Sequence, residues 1–388
     1  AKKTLHSSDF VHLHNHTQYS LLDGLTKVPA LLDYVEQLGM KAVAITDHGT
    51  LSGVIEFYKA AKARGIKPIL GMEGYVAARH YTDKDATKDK TYYHLILLAM
   101  NQTGYQNLMR LSTIANLEGY YYKPRIDHEL LEKYNEGLIV LSGCIGGEVG
   151  DALRQGQYEQ AKSTAEWYKS VFGDRYYLEV QDHGHADHPS VWQEQVQVTE
   201  GTLKLAEELH IPAVITCDAH YLKHKDQEAH EILLCVQTGS FLSDEKRMSL
   251  KDFELHVTDP QEIIKRWGAK YPDLIRNTAA VAERCDVEIT LGQYLIPKFP
   301  VPASETEKSY LDQLTYHGLL RRYGEGAASK KLTVAQIKKE LPKDIVERAE
   351  YELGVIDRMG FNGYFLIVQD FITWGKDQGI VFGPGRGS

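Results

Sequence analysis

Short apolar runs alternate with stretches of helical periodicity over roughly the first 220 residues, and this alternation constrains the fold more than any other feature. Ala42 to Thr46, Leu138 to Leu141, Tyr176 to Gln181 and Ala213 to Thr216 are apolar runs of the kind buried on both faces of a sheet. Lys67 to Val76, interrupted by Gly71 and Gly74, and His94 to Met100 are two more strand candidates. Phe10 to His16 alternates, with Val11 and Leu13 on one face and His12, His14 and His16 on the other. Pro29 to Leu38, Leu51 to Arg64 and Gly104 to Leu117 read as helices, the first two closed by Gly39 and Gly65. Roughly seven strands with helices between most of them predict parallel strands in an α/β barrel. The polar stretch from Tyr81 to Lys90 and the segment after Gly119 read as loops.

A second region is expected from residue 284, giving domains 1–283 and 284–388. Pro297, Pro300 and Pro302 make Tyr294 to Glu305 a linker without regular structure. Beyond it, Leu311 to Arg322 and Ile345 to Met359 are amphipathic helices separated by a polar loop, Gly326 to Thr333. The run Gly360-Phe-Asn-Gly-Tyr-Phe-Leu-Ile-Val368 reads as another helix, and Ile380 to Phe382 as a short strand before Gly383-Pro-Gly-Arg-Gly-Ser388. No apolar run is long enough to span a bilayer, and no apolar signal core follows Ala1-Lys2-Lys3. Together these predict a cytoplasmic protein with no membrane partner. A net charge of −9 excludes a wholly basic surface but leaves room for a local basic groove.

Histidine is abundant, at 17 residues. The metal-capable side chains fall at the ends of the candidate strands. His14 and His16 share one strand face. Asp23 follows in the next loop, Asp47 and His48 follow the second strand, and Glu73 lies on the third. His94 opens the fourth, Cys144 follows the fifth, and Asp218 and His220 follow the seventh. In a parallel barrel the strand ends converge on one rim, so these residues would meet there. Imidazole, carboxylate and a single thiolate together suit zinc, manganese or iron. A bridging carboxylate would let two or three divalent ions sit together, the arrangement that hydrolyses phosphoesters. A single His on a strand is ordinarily a satisfied core or surface residue; it is the recurrence at successive strand ends that points to a metal cluster.

Other candidates are less direct. His12 lies on the His14 face, but three alternate residues span more than one ion reaches, so it would support rather than ligate. Asp47 would either ligate or orient His48. Gln181 to His188 reads as a polar loop with His183 near the rim as a substrate contact. Cys217, Cys235 and Cys285 read as core thiols, with no CxxC pair among the cysteines. In the last motif the glycines would let backbone amides approach phosphate oxygens, and Arg386 would add charge-assisted hydrogen bonds.

These residues carry a resemblance. His-Leu-His-Asn-His-Thr at 12–17, Ser-Leu-Leu-Asp-Gly at 20–24, Thr-Asp-His at 46–48, Gly-Met-Glu at 71–73, Leu-Ser-Gly-Cys at 141–144 and Asp-Ala-His-Tyr at 218–221 resemble the motifs of the polymerase-and-histidinol-phosphatase (PHP) domain. Gln181-Asp-His-Gly184, Leu234-Cys-Val-Gln-Thr-Gly239, Ala282-Glu-Arg-Cys-Asp286, Met359-Gly-Phe-Asn-Gly-Tyr-Phe-Leu-Ile-Val368 and the final Gly-Pro-Gly-Arg-Gly-Ser are similar to the C-family replicative polymerases, the bacterial DNA polymerase III alpha subunits. The resemblance implies a distorted seven-stranded barrel followed by the first, mainly helical part of a polymerase palm. It implies ligand roles for His14, His16, Asp23, His48, Glu73, His94, Cys144, Asp218 and His220, and a 3′–5′ exonuclease at that site. It further implies that Gly387 and Ser388 contact an incoming dNTP. The palm carboxylates, with their Mg²⁺, would lie beyond the last motif, so their residues are unknown here and the chain is expected to be an N-terminal fragment. Primer-template DNA, a sliding clamp and a proofreading subunit are the partners implied for the full-length protein. A purely structural metal site and a phosphatase of the histidinol-phosphate type remain the alternatives.

Overall fold

The computed structural model describes residues 4–21, 23–185, 192–324 and 332–385 of the 388 and divides the chain into two units, Ala1–Ile289 and Thr290–Ser388. The first unit extends past residue 283 because the Lys62 ammonium pairs with Glu288 at 2.6 Å and the Ile289 amide donates to the Tyr58 hydroxyl. It is built on one curled sheet of eight strands: β1 (Ala42–Ile45), β2 (Lys67–Ala77), β3 (Tyr92–Ala99), β4 (Tyr120–Tyr121), β5 (Lys123–Ile126), β6 (Leu138–Leu141), β7 (Tyr176–Gln181) and β8 (Ala213–Thr216). The order is β4-β5-β2-β3-β6-β7-β8, with β1 paired to the first half of β2. The expected helices form as Val28–Gln37, Val54–Ala63 and Gln102–Leu117.

Three expectations about the sheet of the first unit need correction. Phe10 to His16 is not a ladder strand. It threads between β1 and the end of β8, accepting at the His12 carbonyl from the Ala44 amide and donating from the His16 amide to Ala219. The Asn15 side chain and the Thr46 hydroxyl supply bonds that a regular ladder would otherwise make. The sheet is also not wholly parallel, because β3 runs antiparallel to both β2 and β6. A parallel pair needs a crossover, usually helical, and residues 78–91 contain no helix, so the chain simply turns back. Lastly, the segment after Gly119 is not plain loop but the hairpin β4–β5.

Arg125 on β5 explains how the polar stretch from Tyr81 to Lys90 is held. Its side chain is fully buried and donates to the carbonyls of Gly119, Asp89, Tyr81 and Asp83, at 2.6–3.2 Å. Removing it would leave several carbonyls without donors. We therefore expect Arg125→Met to destabilise the first unit by about 3 kcal/mol, read as a lowered urea midpoint. A midpoint equal to that of the unchanged chain would show that water satisfies these carbonyls.

The barrel interior is layered. Ala44, Ile69, Ile96, Leu98, Ile139, Leu141, Tyr177 and Val214 form an apolar layer, packed with Val281, Ala282 and Cys285 at the end of the helix Pro272–Arg284. Side chains alternate across a strand, so the further inward positions are two or four residues on, or two back in antiparallel β3. Those positions include Glu73 on β2, His94 on β3, Glu179 on β7 and Asp218 just past β8. The same period that fills one end with hydrocarbon therefore lines the other with ligand-type groups. The outward faces of the strands pack the helices through Val43, Ile45, Leu70, Leu97, Val140 and Ile215.

In the second unit residues 290–305 carry no helix or strand, as the prolines require. The helices Glu307–Tyr323, Val334–Glu340, Lys343–Arg358 and Asn362–Asp377 follow, around Leu311, Tyr316, Leu320, Ile337, Leu353 and Leu366. The expected strand at Ile380 to Phe382 does not form. Arg386, Gly387 and Ser388 lie outside the described residues.

Candidate metal centre

Glu73 is the hub of the site. Its carboxylate is 1% exposed. One oxygen, Oε1, lies 2.8 Å from His94 Nδ1 and 3.7 Å from His14 Nε2, and the other, Oε2, 2.6 Å from His48 Nδ1 and 3.3 Å from His16 Nε2. Asp218 Oδ1 stands 3.0 Å from His14 Nε2 and 3.2 Å from His16 Nε2. Cys144 Sγ is 3.4 Å from His94 Nδ1. Asp23 Oδ2 is 3.4 Å from His48 Nε2. The rings of His48 and His220 stack on His16 at 4.0 and 4.3 Å. Every expected ligand is therefore in one place, in three overlapping groups: His14, His16, Glu73 and Asp218; Glu73, His94 and Cys144; and Asp23, His16, His48 and His220.

Both Glu73 oxygens, Asp218 Oδ1, Asp23 Oδ1 and His48 Nδ1 are buried without a hydrogen-bond partner among the described residues. Atoms this close without hydrogen-bond geometry are aimed at shared points rather than at each other, and a buried polar atom left unpaired is costly unless something fills that point. The donor set fits divalent cations. Electrostatics agree. Burial works against charge on His16, yet Asp218 and Glu73 hold its pKa up at about 9. Burial is likewise outweighed at His94 by Glu73 and Cys144, which raise it. The carboxyls of Glu73 and Asp218 stay well below the ordinary range despite burial, through His94 and His48 and through His14 and His220. Burial and the neighbouring His16 push His220 down to about 3, leaving its imidazole neutral. Without metal, imidazolium protons balance the carboxylates.

The fold positions these candidate ligands. Gly143, at φ +82°, brings the Cys144 turn so close to the His94 carbonyl that a Cβ there would sit 2.4 Å from its oxygen. Asp218 occupies the left-handed region at φ 47°, a strained conformation of the kind concentrated at functional sites. Asp47 accepts from the Thr17 amide and hydroxyl and from Ser20 Oγ. Ser20 Oγ in turn contacts His16 Nδ1 and accepts from the His48 amide. His12 bonds the Thr258 carbonyl, away from the cluster. His183 is buried, with its Nε2 3.0 Å from Gln181 Oε1.

Glu179 was not anticipated. It holds His14 Nδ1 at 2.7 Å and accepts from Thr216 Oγ1 and the Gly143 amide. Its signal was available as a carboxylate in the middle of an apolar strand. A carboxylate behind a ligand histidine fixes its tautomer and basicity, so Glu179→Gln should weaken metal binding about 10–100-fold in a competition titration against a chromophoric chelator. Unchanged affinity would reduce Glu179 to packing.

Residues 12–183 match the PHP domain family, and residues 309–388 match the family described as bacterial DNA polymerase III alpha NTPase domain. The DNA polymerase III subunit alpha of Thermus aquaticus is 41% identical over 430 aligned residues, covering 98% of this chain and 34% of that protein. That of Borreliella burgdorferi is 42% identical over 384 residues, covering 98% and 32%. The chain belongs to the bacterial DNA polymerase III alpha-subunit family. It spans about a third of the length of these relatives. Among solved structures, an amidohydrolase from Chromobacterium violaceum aligns at 15% identity and a TM-score of 0.36, over 54% of this chain and 87% of that one. In this member of the polymerase III alpha family, Asp218 and His220 lie beyond the matched PHP stretch, yet β8 delivers them to the same cluster. No helix among the described residues is long and apolar enough to cross a membrane.

Proposed function

We propose that the first unit holds two or three divalent transition-metal ions, zinc, manganese or iron, and hydrolyses the 3′-terminal phosphodiester of DNA, as the 3′–5′ exonuclease of a replicative polymerase. The observation that favours hydrolysis over simple bracing is the opening at Asp23 and His48. These side chains are 16% and 14% exposed on a cleft, while His14, His16 and Glu73 are sealed at 0–1%. A purely structural site has no need of an open edge. Ions held there would supply an activated water and neutralise charge on the phosphoryl group. The chain's own part is to fix the ligand atoms, through Glu73 at the hub, Glu179 behind His14 and Ser20 behind His16, and to present the open edge to substrate.

The whole protein, on this reading, is a DNA-directed DNA polymerase acting in the cytoplasm with primer-template DNA, dNTPs, Mg²⁺, a sliding clamp and a proofreading subunit. Arg386, Gly387 and Ser388 would contact the incoming triphosphate. The test of the barrel's activity is a labelled single-stranded oligonucleotide incubated with metal-loaded protein. Stepwise shortening from the 3′ end, stopped by chelator and restored by Mn²⁺ or Zn²⁺, supports it. Intact oligonucleotide alongside rapid release of phosphate from small phosphomonoesters would transfer the site to phosphatase chemistry. No hydrolysis of either would leave the bracing role, for which the Cys144 thiolate is the favouring feature.

A further inference from the structure

The cleft beside the metal centre has a volume of about 270 Å³ and walls that include Tyr19, Asp23, His48, Tyr75, Asn116 and Lys123. Lys123 is the cation among the described residues lining it. Its Nζ lies 5.3 Å from the centroid of the Tyr75 ring, which stacks on His48 at 5.9 Å. The ammonium therefore stands one aromatic ring away from a ligand histidine. Its side chain has neither carboxylate partner nor hydrogen bond among the described residues. Lys62 and Lys162 of the same unit, by contrast, are paired with Glu288 and Glu208, and what sets Lys123 apart is its place on the wall of this cleft. A cation left unpaired on the wall of a cleft is an anion-binding group in waiting.

The backbone that carries Lys123 is held firmly. It follows Tyr122, which takes φ 61° at the tip of the β4–β5 hairpin, a genuine outlier for a bulky side chain. Arg125 pins the hairpin from behind, with its guanidinium 5.3 Å from the Tyr121 ring and its hydrogen bonds to the carbonyls of Gly119 and Asp89. Such strain persists only where the surroundings over-determine it, and it is concentrated at ligand clamps.

We infer that Lys123 grips a backbone phosphate of the nucleic acid next to the one that is cut. This inference rests on the proposed phosphodiesterase reading. A phosphate at the Asp23–His48 edge is separated from the ammonium by the Tyr75 ring, so the group Lys123 takes is the neighbouring one along the strand. Lys123 is thus a positioning residue, and it would favour a chain with several phosphates over a lone phosphomonoester.

The experiment measures binding, separately from cleavage. A fluorescein-labelled single-stranded oligonucleotide with cleavage-resistant phosphorothioate linkages is titrated with the Mn²⁺-loaded full chain at several salt concentrations, by anisotropy. Lys123→Ala should weaken binding about tenfold and lower the slope of log K against log salt by about one phosphate contact, and Lys123→Arg should restore both. Lys123→Gln, which keeps the stem, should behave as alanine does, with folding checked by circular dichroism. Equal affinity and equal salt slope for all variants overturn the inference, as does a failure of the unchanged chain to bind. If binding responds as expected but no cleavable oligonucleotide is shortened, the exonuclease reading fails and the grip stands.

Discussion

Changing Glu73 to alanine is expected to strip the centre of its metal. Protein purified without chelator or metal-affinity contact should carry two or three transition-metal ions per chain by elemental analysis, and the Glu73→Ala variant fewer than one. The reason is geometric. Glu73 is the carboxylate shared between ligand groups, with one oxygen toward His94 and His14 and the other toward His48 and His16. Removing it would subtract a ligand from more than one ion at once and leave His94 without its carboxylate, with Asp218, Glu179 and Asp23 the remaining counter-charges for His14, His16 and His48, so the loss should far exceed that from any single histidine. Glu73→Gln separates charge from shape, since it retains volume and one oxygen. It should bind less metal than the unchanged chain and more than the alanine variant. Fewer than one ion in the unchanged chain, with no uptake of added Zn²⁺ or Mn²⁺, would remove the metal centre altogether.

The candidate ligands stand out in the sequence because a strand's period of two is rigid. His14 with His16 and Asp218 with His220 announce a shared face by their spacing; His48 and Cys144 follow strands and His94 lies near the start of one, whereas Glu73 lies within β2 and Asp23 in a loop. The segment carrying His14 and His16 nevertheless proved to be no regular strand; the pair still converges because bonds to Ala44 and Ala219 extend the backbone there. What the sequence hid were contacts set by tertiary approach. β3 looks the same whether parallel or antiparallel, since a buried apolar run carries no direction. Arg125 reads as a surface cation until its carbonyl acceptors close around it. Ser20 and Asp47 are ordinary turn residues until the fold places them behind His16 and His48. Glu179 was the avoidable omission, because a carboxylate between Leu178 and Val180 has to be neutralised by something.

The second large effect concerns chemistry rather than occupancy. Asp218→Asn should lower 3′-terminal hydrolysis on the order of 10³-fold, roughly 4 kcal/mol of transition-state stabilisation, without unfolding the barrel. Asparagine is the right replacement because position 218 sits at φ 47°, which Asn tolerates and Ala adopts only with strain. The Asp218 carbonyl, 2.8 Å from His220 Nδ1, is a backbone group and survives the change, so His220 keeps its orientation. What is lost is the anionic oxygen 3.0 and 3.2 Å from His14 and His16, at the point where Glu73 also converges. An amide oxygen is a poorer ligand for a divalent ion, and the rest of its cost falls on the ion's ability to activate water. Circular dichroism and a thermal melt report on folding, and labelled-oligonucleotide shortening under saturating Mn²⁺ reports on hydrolysis. An unchanged melt with full nuclease activity would mean that the cutting comes from a contaminant, and the site would then have to be assigned to bracing alone. An unchanged melt with activity lost, at a metal content close to that of the unchanged chain, would place Asp218 in the reaction itself rather than only in assembling the centre.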